Sequence, residues 1–344
     1  MVTKIGLDLG YANIAISDVS LGVYRVPSVA IIDKNTRRII SVGNDAMMGS
    51  GAENGIMVRP FKNGLFYSAE FTQSIIKAAV KTVSMTENVR CIVGVPDNLN
   101  QKQERELAQM FQNAGVGECF FVKRAVAALI GAGLMPTASA ISVNVGASTT
   151  EIAILYQGEI IYSATAEIGG EAFDEAVKEY MLEEGELNIS LYDARAIKEA
   201  IGAVWDGRNA PPITVSGSLA LTGTTIKMTI GSEDILGVFE KPLRALLQAV
   251  ADGVKKIPTD YVEEIFKNGI ILTGGGALLF GLNKMMSKVF SINVCLPKTP
   301  EDAVAKGLLL INTFLPAKMQ RSNGKNITAN LLKHYNASNG NKSD

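Results

Sequence analysis

The sequence predicts an α/β fold built from two related halves, and three observations predict it. Ile5-Gly6-Leu7-Asp8-Leu9-Gly10 and Ile141-Ser142-Val143-Asn144-Val145-Gly146 are apolar, strand-like runs that close on glycine, and Ile270-Ile271-Leu272-Thr273 runs into Gly274-Gly275-Gly276. After each of the first two runs the same order follows: glycine turn, strand, strand, then helix. A duplicated unit is the simplest source of such an order. Two phosphate-facing hairpins and a purine-facing glycine turn are what a nucleotide clamped between two similar domains requires.

Each element has its own warrant. Ile5 to Leu9, Ile14 to Asp18 and Val29 to Asp33 are short apolar runs bounded by turn residues, and Val89 to Pro96 reads as a buried strand. Tyr67 to Val83 has amphipathic helical spacing, Gln101 to Ala114 is a helix stopped by Gly115, and Arg124 to Gly131 is another. The second half restarts with strands Ile141 to Val145, Glu151 to Tyr156 and Glu159 to Ala164, followed by helix Glu171 to Glu183. An insertion then predicts a small subdomain: helix Leu191 to Ile201, strand-rich Ile213 to Ile230, and a return helix from Ser232 to Val254. Residues 319–344, rich in Asn, Ser, Lys and Gly, are expected to be a disordered tail, in which Ile327 to Leu332 would form a short helix on contact with a partner.

Composition excludes several classes of function. At 344 residues the chain has room for two domains, and 47% hydrophobic residues supply their cores. The net charge of -1 gives no basic field for nucleic acid. Cys91, Cys119 and Cys295 are far apart in or beside apolar segments, which fits buried free thiols and a reducing cytoplasm. His334 is the single histidine and sits in the polar tail, so Ser-His-Asp and Cys-His nucleophilic schemes have no base. Met1-Val2-Thr3-Lys4 leads straight into a strand, with no expected signal peptide, and no apolar run is long enough for a membrane span.

Five motifs carry a family resemblance. They are Gly6-Leu7-Asp8-Leu9-Gly10; Arg59-Pro60 with Lys62-Asn63-Gly64; Val93-Gly94-Val95-Pro96; Ala127-Ala128-Leu129-Ile130-Gly131-Ala132-Gly133-Leu134; and Ile271 to Leu279. In order and spacing, over about residues 4–315, the chain resembles the MreB family of bacterial actin homologues. The resemblance implies the actin-like ATPase fold: two duplicated domains with five-stranded sheets, four subdomains, ATP or ADP with Mg²⁺ in the cleft, and head-to-tail protofilaments. It places domain I at residues 1–134 plus 305–318, with a small subdomain at about 29–56. Domain II takes residues 135–304, with its small subdomain at about 190–240.

The same resemblance assigns the site. Asp8 would hold a water of hydrated Mg²⁺, and Gly10, Tyr11, Ala12 and Asn13 would offer backbone N–H groups to the β- and γ-phosphates. Gly146, Ala147, Ser148 and Thr149 form the second hairpin, Lys198 and Glu199 flank ribose and adenine, and Gly274, Gly275 and Gly276 admit the purine side. Four residues depart from the pattern. Tyr11 is bulky where the family has a small hydroxyl residue, so the turn either opens outward or alters the γ-phosphate contact. Asn144 replaces an Asp, and Ala147 a glycine whose freedom at positive φ it lacks. Arg124 occupies the place of the water-polarising Glu. A guanidinium stays protonated and cannot act as a base, although it can anchor a γ-phosphate.

The expected function is an MreB-like filament protein that binds ATP and hydrolyses it slowly or not at all, in the cytoplasm. Its partners are expected to be other copies of itself and membrane-associated proteins that bring it to the inner face of the membrane. Direct membrane contact is expected to be weak or absent, because the loop Thr82 to Asn88 offers only Val83 and Met85. The alternatives are a non-polymerising nucleotide-dependent scaffold or chaperone-like module and, less favoured, a metabolic kinase of the same superfamily. A kinase needs a carboxylate base at the acceptor, and none is placed near Asn144 or the Lys123 to Gly131 run.

Overall fold

The computed structural model of the chain describes residues 2–20, 22–49, 54–62, 65–66, 68–83, 89–316 and 324–340. Asn63, Gly64 and residues 84–88 of the loop considered for membrane contact lie outside the described residues, as do residues 319–323 and 341–344 of the tail.

Two main sheets organise the chain. In the first, strand Thr3–Leu9 pairs antiparallel with Asn13–Asp18, which pairs with Gly22–Pro27, a strand the sequence pattern missed. On its other side Thr3–Leu9 runs parallel to Val89–Val95, and that strand parallel to Glu118–Lys123. The second sheet repeats the plan: Ala140–Val145 pairs antiparallel with Thr150–Tyr156, then Glu159–Ala166, and runs parallel to Ile270–Thr273 and onward to Val294–Cys295. Strand Val89–Val95 is buried along its whole length because helices cover both its faces. The repeat therefore reaches from the glycine motifs to the order of strands within each sheet.

Two small antiparallel sheets extend this frame. Ala30–Asp33 lies between Ile39–Val42 and Gly55–Val58, and Ile213–Leu219 lies between Leu187–Asn188 and Thr225–Ile230. Ala30 to Val58 overlaps the stretch 29–56 and Leu187 to Ile230 the stretch 190–240, each sheet running two or three residues past the expected bound. The return helix splits into Ser232–Ile235 and Glu240–Val254. Pro242 explains where the longer piece begins, since its missing N–H costs nothing in a first turn, where no partner is available.

The tail departs most from expectation. Residues Lys325–Asn326 add a sixth strand to the first sheet, parallel to Phe120 and Phe121, so the five expected strands are joined by one from the chain's end. Helix Leu331–Gly340 follows, with Ile327 and Leu331 buried and the Tyr335 ring edge-on to Phe314 at 5.6 Å. Residues 324–340 are thus ordered rather than a disordered tail. Two buried aliphatic side chains and a sheet edge that still had hydrogen bonds to give outweigh the polar composition.

Between the two sheets lies a third apolar cluster, centred on helices Arg124–Gly131 and Ala303–Phe314. They cross at glycine. A Cβ on Gly131 would stand 1.8 Å from the Ala303 carbonyl oxygen, and one on Gly307 1.8 Å from that of Ala127. Backbone cannot retreat from such an overlap. Gly307→Ala is expected to lower stability by about 3 kcal/mol through overpacking, read as a fall in the urea midpoint.

Candidate functional site

The two hairpins and the glycine triad converge. Strands Thr3–Leu9 and Ala140–Val145 deliver their carboxyl ends to one cleft, which holds a cavity of about 520 Å³. Asp8, Gly10, Tyr11, Ala12, Asn13, Asn144, Gly146, Ala147, Lys198, Glu199, Gly274, Gly275 and Gly276 all line it. Ser148 lines a neighbouring cavity at the mouth of the cleft, while Thr149 is buried and donates to Glu151 Oε1 at 2.8 Å. The neighbouring cavity is larger, about 720 Å³, but it lacks the glycine turns and so lacks the cradle.

The hairpins are closed by their own backbone. Gly10 N–H donates to the Asp8 carbonyl at 3.2 Å, and Gly146 N–H to the Thr149 carbonyl at 2.8 Å. A Cβ on Gly10 would lie 2.5 Å from the Asn13 carbonyl oxygen, so glycine is needed there for closeness. Ala147 causes no strain: it is not among the residues with positive φ, so the glycine it replaces is not needed for left-handed backbone. Gly274 is different, with φ +82° and Val145 pressed against it. Gly275 has open space where its Cβ would be, on the cavity side. Gly275→Val is therefore expected to fold normally and to weaken ATP binding at least about tenfold by calorimetry, because the new side chain fills the cavity.

Tyr11 resolves outward. It lines the cavity, while its hydroxyl crosses the cleft to donate to Glu171 Oε1 and its ring lies under the Arg59 guanidinium at 4.9 Å. Burial, together with Glu171, raises this phenol to about 12, so it stays a donor at every physiological pH. Bulk that looked awkward in a phosphate turn serves as a bridge between the halves.

At the Lys198 end of the cavity the side chains are tied down. Lys198 Nζ lies 2.5 Å from Asp174 Oδ1 and donates to the Gly170 carbonyl at 2.9 Å, and Glu199 accepts from Arg195 Nε at 2.8 Å. Sequence reasoning missed Asp174, Arg25, Arg195 and Arg208, all of which line the same cavity. Arg25 pairs with Asp302 across the fold. None of these carries a local motif, so only the spacing of a whole cleft would have revealed them.

Arg124 is the main surprise of the site. It does not line the cavity but sits beneath it, 6% exposed, at the foot of both hairpins. Nη1 donates to Glu151 Oε1 at 2.8 Å, Nη2 to the Leu9 carbonyl at 2.8 Å, and Nε lies 3.0 Å from Asp8 Oδ1. That last contact is a charge contact only, since neither atom has a hydrogen-bond partner among the described residues. Burial opposes the charge on Arg124, yet Glu151 and Asp8 together hold the guanidinium above its ordinary value. Asp8 is pushed up to about 6, by burial first and against the pull of Arg124. Arg124 is therefore not free to reach a γ-phosphate; it clamps the first hairpin to the second.

Asn144 belongs to the same network. Its Nδ2 donates to Glu151 Oε2 at 2.8 Å, and its Oδ1 accepts from Thr273 Oγ1 at 3.2 Å. Glu151, 3% exposed, thus receives Arg124 and Thr149 on one oxygen and Asn144 on the other.

A family model described as MreB/Mbl protein matches residues 2–318. The chain belongs to the MreB/Mbl family. It is 32% identical over 317 residues to the cell shape-determining protein MreB of Escherichia coli (strain K12), covering 88% of this chain and 91% of that one. To the cell shape-determining protein Mbl of Bacillus cereus (strain ATCC 10987 / NRS 248) it is 28% identical over 312 residues, covering 88% and 93%. Among solved structures, MreB5 of Spiroplasma citri bound to AMPPNP superposes with a TM-score of 0.84 at 23% identity, over 91% of this chain and 96% of that one. A MamK double helical filament superposes at 0.79 and 21% identity, over 92% and 100%. These likenesses establish the actin-like fold. Among the described residues of this MreB/Mbl protein, no helix is long and apolar enough to cross a membrane.

Proposed function

We propose that this actin-family cytoskeletal protein binds ATP in the cleft between its two domains, assembles into filaments, and hydrolyses the nucleotide slowly or not at all. Nucleotide binding is supported by the hairpins and glycine triad around the cavity, and by neighbours described as bound to AMPPNP and to ADP. Assembly is supported by family membership and by the filament described for MamK.

One observation supports the slow hydrolysis: Arg124 and Asn144, at the positions where the family resemblance implies Glu and Asp, are tied to Glu151 at the foot of the hairpins. Hydrolysis needs a group to orient the attacking water and take its proton. Arg124 holds its proton, Asn144 has no basic oxygen, and Glu151 is engaged by Arg124, Thr149 and Asn144. What remains is a phosphate cradle in which Asp8 is the hairpin carboxylate that lines the cavity, without the further Glu and Asp that the family resemblance implies. Tyr11 and Glu171 close the outer side, which favours retention over turnover.

Negative-stain microscopy of the full chain with ATP tests assembly. Protofilaments are expected over a range of salt and protein concentration. A persistent monomer that compacts on binding ATP would favour a scaffold module instead.

A further inference from the structure

Residues 324–340 lie beyond residues 2–318, where the family model matches, and they touch both halves of the molecule. On the first half the attachment is by backbone: Gly324 N–H donates to the Cys119 carbonyl at 2.8 Å and Ile327 N–H to the Phe121 carbonyl at 2.9 Å. Asn326 Nδ2 adds a bond to Glu104 Oε1 at 3.0 Å.

The crossing to the second half is made by side chains. Ile327 and Leu331 join the apolar cluster that draws Phe120 and Val122 from the first sheet and Ala153 and Leu155 from the second. Leu332 lies against the turn after strand Thr150–Tyr156: a Cβ on Gly158 would stand 3.3 Å from Leu332 Cδ1. The Tyr335 hydroxyl donates to Met135 Sδ at 3.5 Å, in the link that carries the chain from helix Arg124–Gly131 to strand Ala140–Val145. Where Val126, Met135, Leu155 and Leu331 meet, a cavity of only about 10 Å³ remains. A seam packed so closely cannot deform continuously, so a change of angle between its sides must break contacts.

The position of the seam gives it leverage on the cleft. Leu155 pairs with Ala140, so the Gly158 turn stands at the end of strand Ala140–Val145 remote from the Gly146 hairpin and the cavity. A tie at that end resists any rotation that opens the other. The tail also holds Lys123, whose backbone N–H donates to Thr328 Oγ1 at 3.0 Å while its Nζ donates across to Ser163 Oγ at 2.8 Å, on the second sheet. Arg124, the clamp of both hairpins, is the next residue.

From these contacts we infer that residues 324–340 form a strap that fixes the angle between the two halves and thereby sets how tightly the cleft holds its ligand. This rests on the cleft being the nucleotide site. By linkage the effect is mutual: a strap that favours the closed cleft tightens ATP, and ATP tightens the strap.

Hydrogen exchange of the full chain, with and without saturating ATP, reads the strap without any substitution. ATP is expected to slow exchange from Leu331 to Tyr335 by about threefold or more, and unchanged exchange there with ATP bound overturns the inference. Leu332→Asp with Tyr335→Ala removes the half-buried contacts to the Gly158 turn and to Met135, and leaves the buried Ile327 and Leu331 in place. Without nucleotide, this variant is expected to exchange the Gly10 and Gly146 amides, which close the hairpins, about tenfold faster than wild type. Its ATP affinity by calorimetry is expected to fall about tenfold. Hairpin exchange and affinity equal to those of wild type would mean that the segment stabilises only its own surroundings, and would overturn the inference. Faster hairpin exchange in a chain that binds no ATP would support the strap and overturn the nucleotide reading instead.

Discussion

Arg124→Ala is expected to destabilise the protein by about 3–5 kcal/mol, the cost of removing one partner from a buried ion pair. The loss comes from what is left behind. Glu151, 3% exposed, would keep only the donors of Thr149 and Asn144, and the Leu9 carbonyl would lose its Arg124 donor. The clamp also joins the two hairpins, so the variant loses a tie between the halves as well as a charge pair. Urea unfolding of wild type and variant checks the size. Addition of Glu151→Gln should return part of the loss, because the worst orphan is then neutral. A variant as stable as wild type would mean that the cluster relaxes into solvent and clamps nothing.

Arg124→Glu together with Asn144→Asp is expected to raise ATP turnover in magnesium by about a hundredfold, the lower range of general-base contributions. Both changes restore the residue types that the family resemblance implies, and both are needed. A carboxylate at residue 124 alone would stand between Asp8 and Glu151 with no cation to hold them together. Asp at 144 adds a second carboxylate beside Asp8, so the double variant is also expected to be stabilised more by magnesium than the wild type, seen as a larger rise in its thermal midpoint. Phosphate release and thermal melting, with magnesium and with EDTA, check both parts. No gain in turnover would show that the assignment of residues 124 and 144 to the hydrolytic positions is wrong.

The glycine-closed hairpins were legible because their signal is local. A strand, a glycine and a second strand sit within about a dozen residues of each other, and Gly274 to Gly276 declare themselves by repetition. Arg124 was legible as a departure but not as a clamp. Its partners Asp8 and Glu151 lie on different strands of different sheets, and no spacing rule joins them. The same holds for Lys198, whose ion pair with Asp174 comes from the neighbouring helix Gly170–Gly185, and for Tyr11, whose partner Glu171 lies across the cleft. Bulk at residue 11 looked like an obstacle only while its direction was unknown. The strand Lys325–Asn326 was beyond sequence reading for another reason: two residues carry no period, and the edge they cover is far away in the chain.

Whether nucleotide is held or spent is decided by phosphate release from assembled protein. Full-length chain polymerised in ATP and collected by sedimentation should retain ATP, with released phosphate far below one per protomer when assembly is complete. Phosphate appearing in step with assembly, close to one per protomer, would contradict the proposed retention.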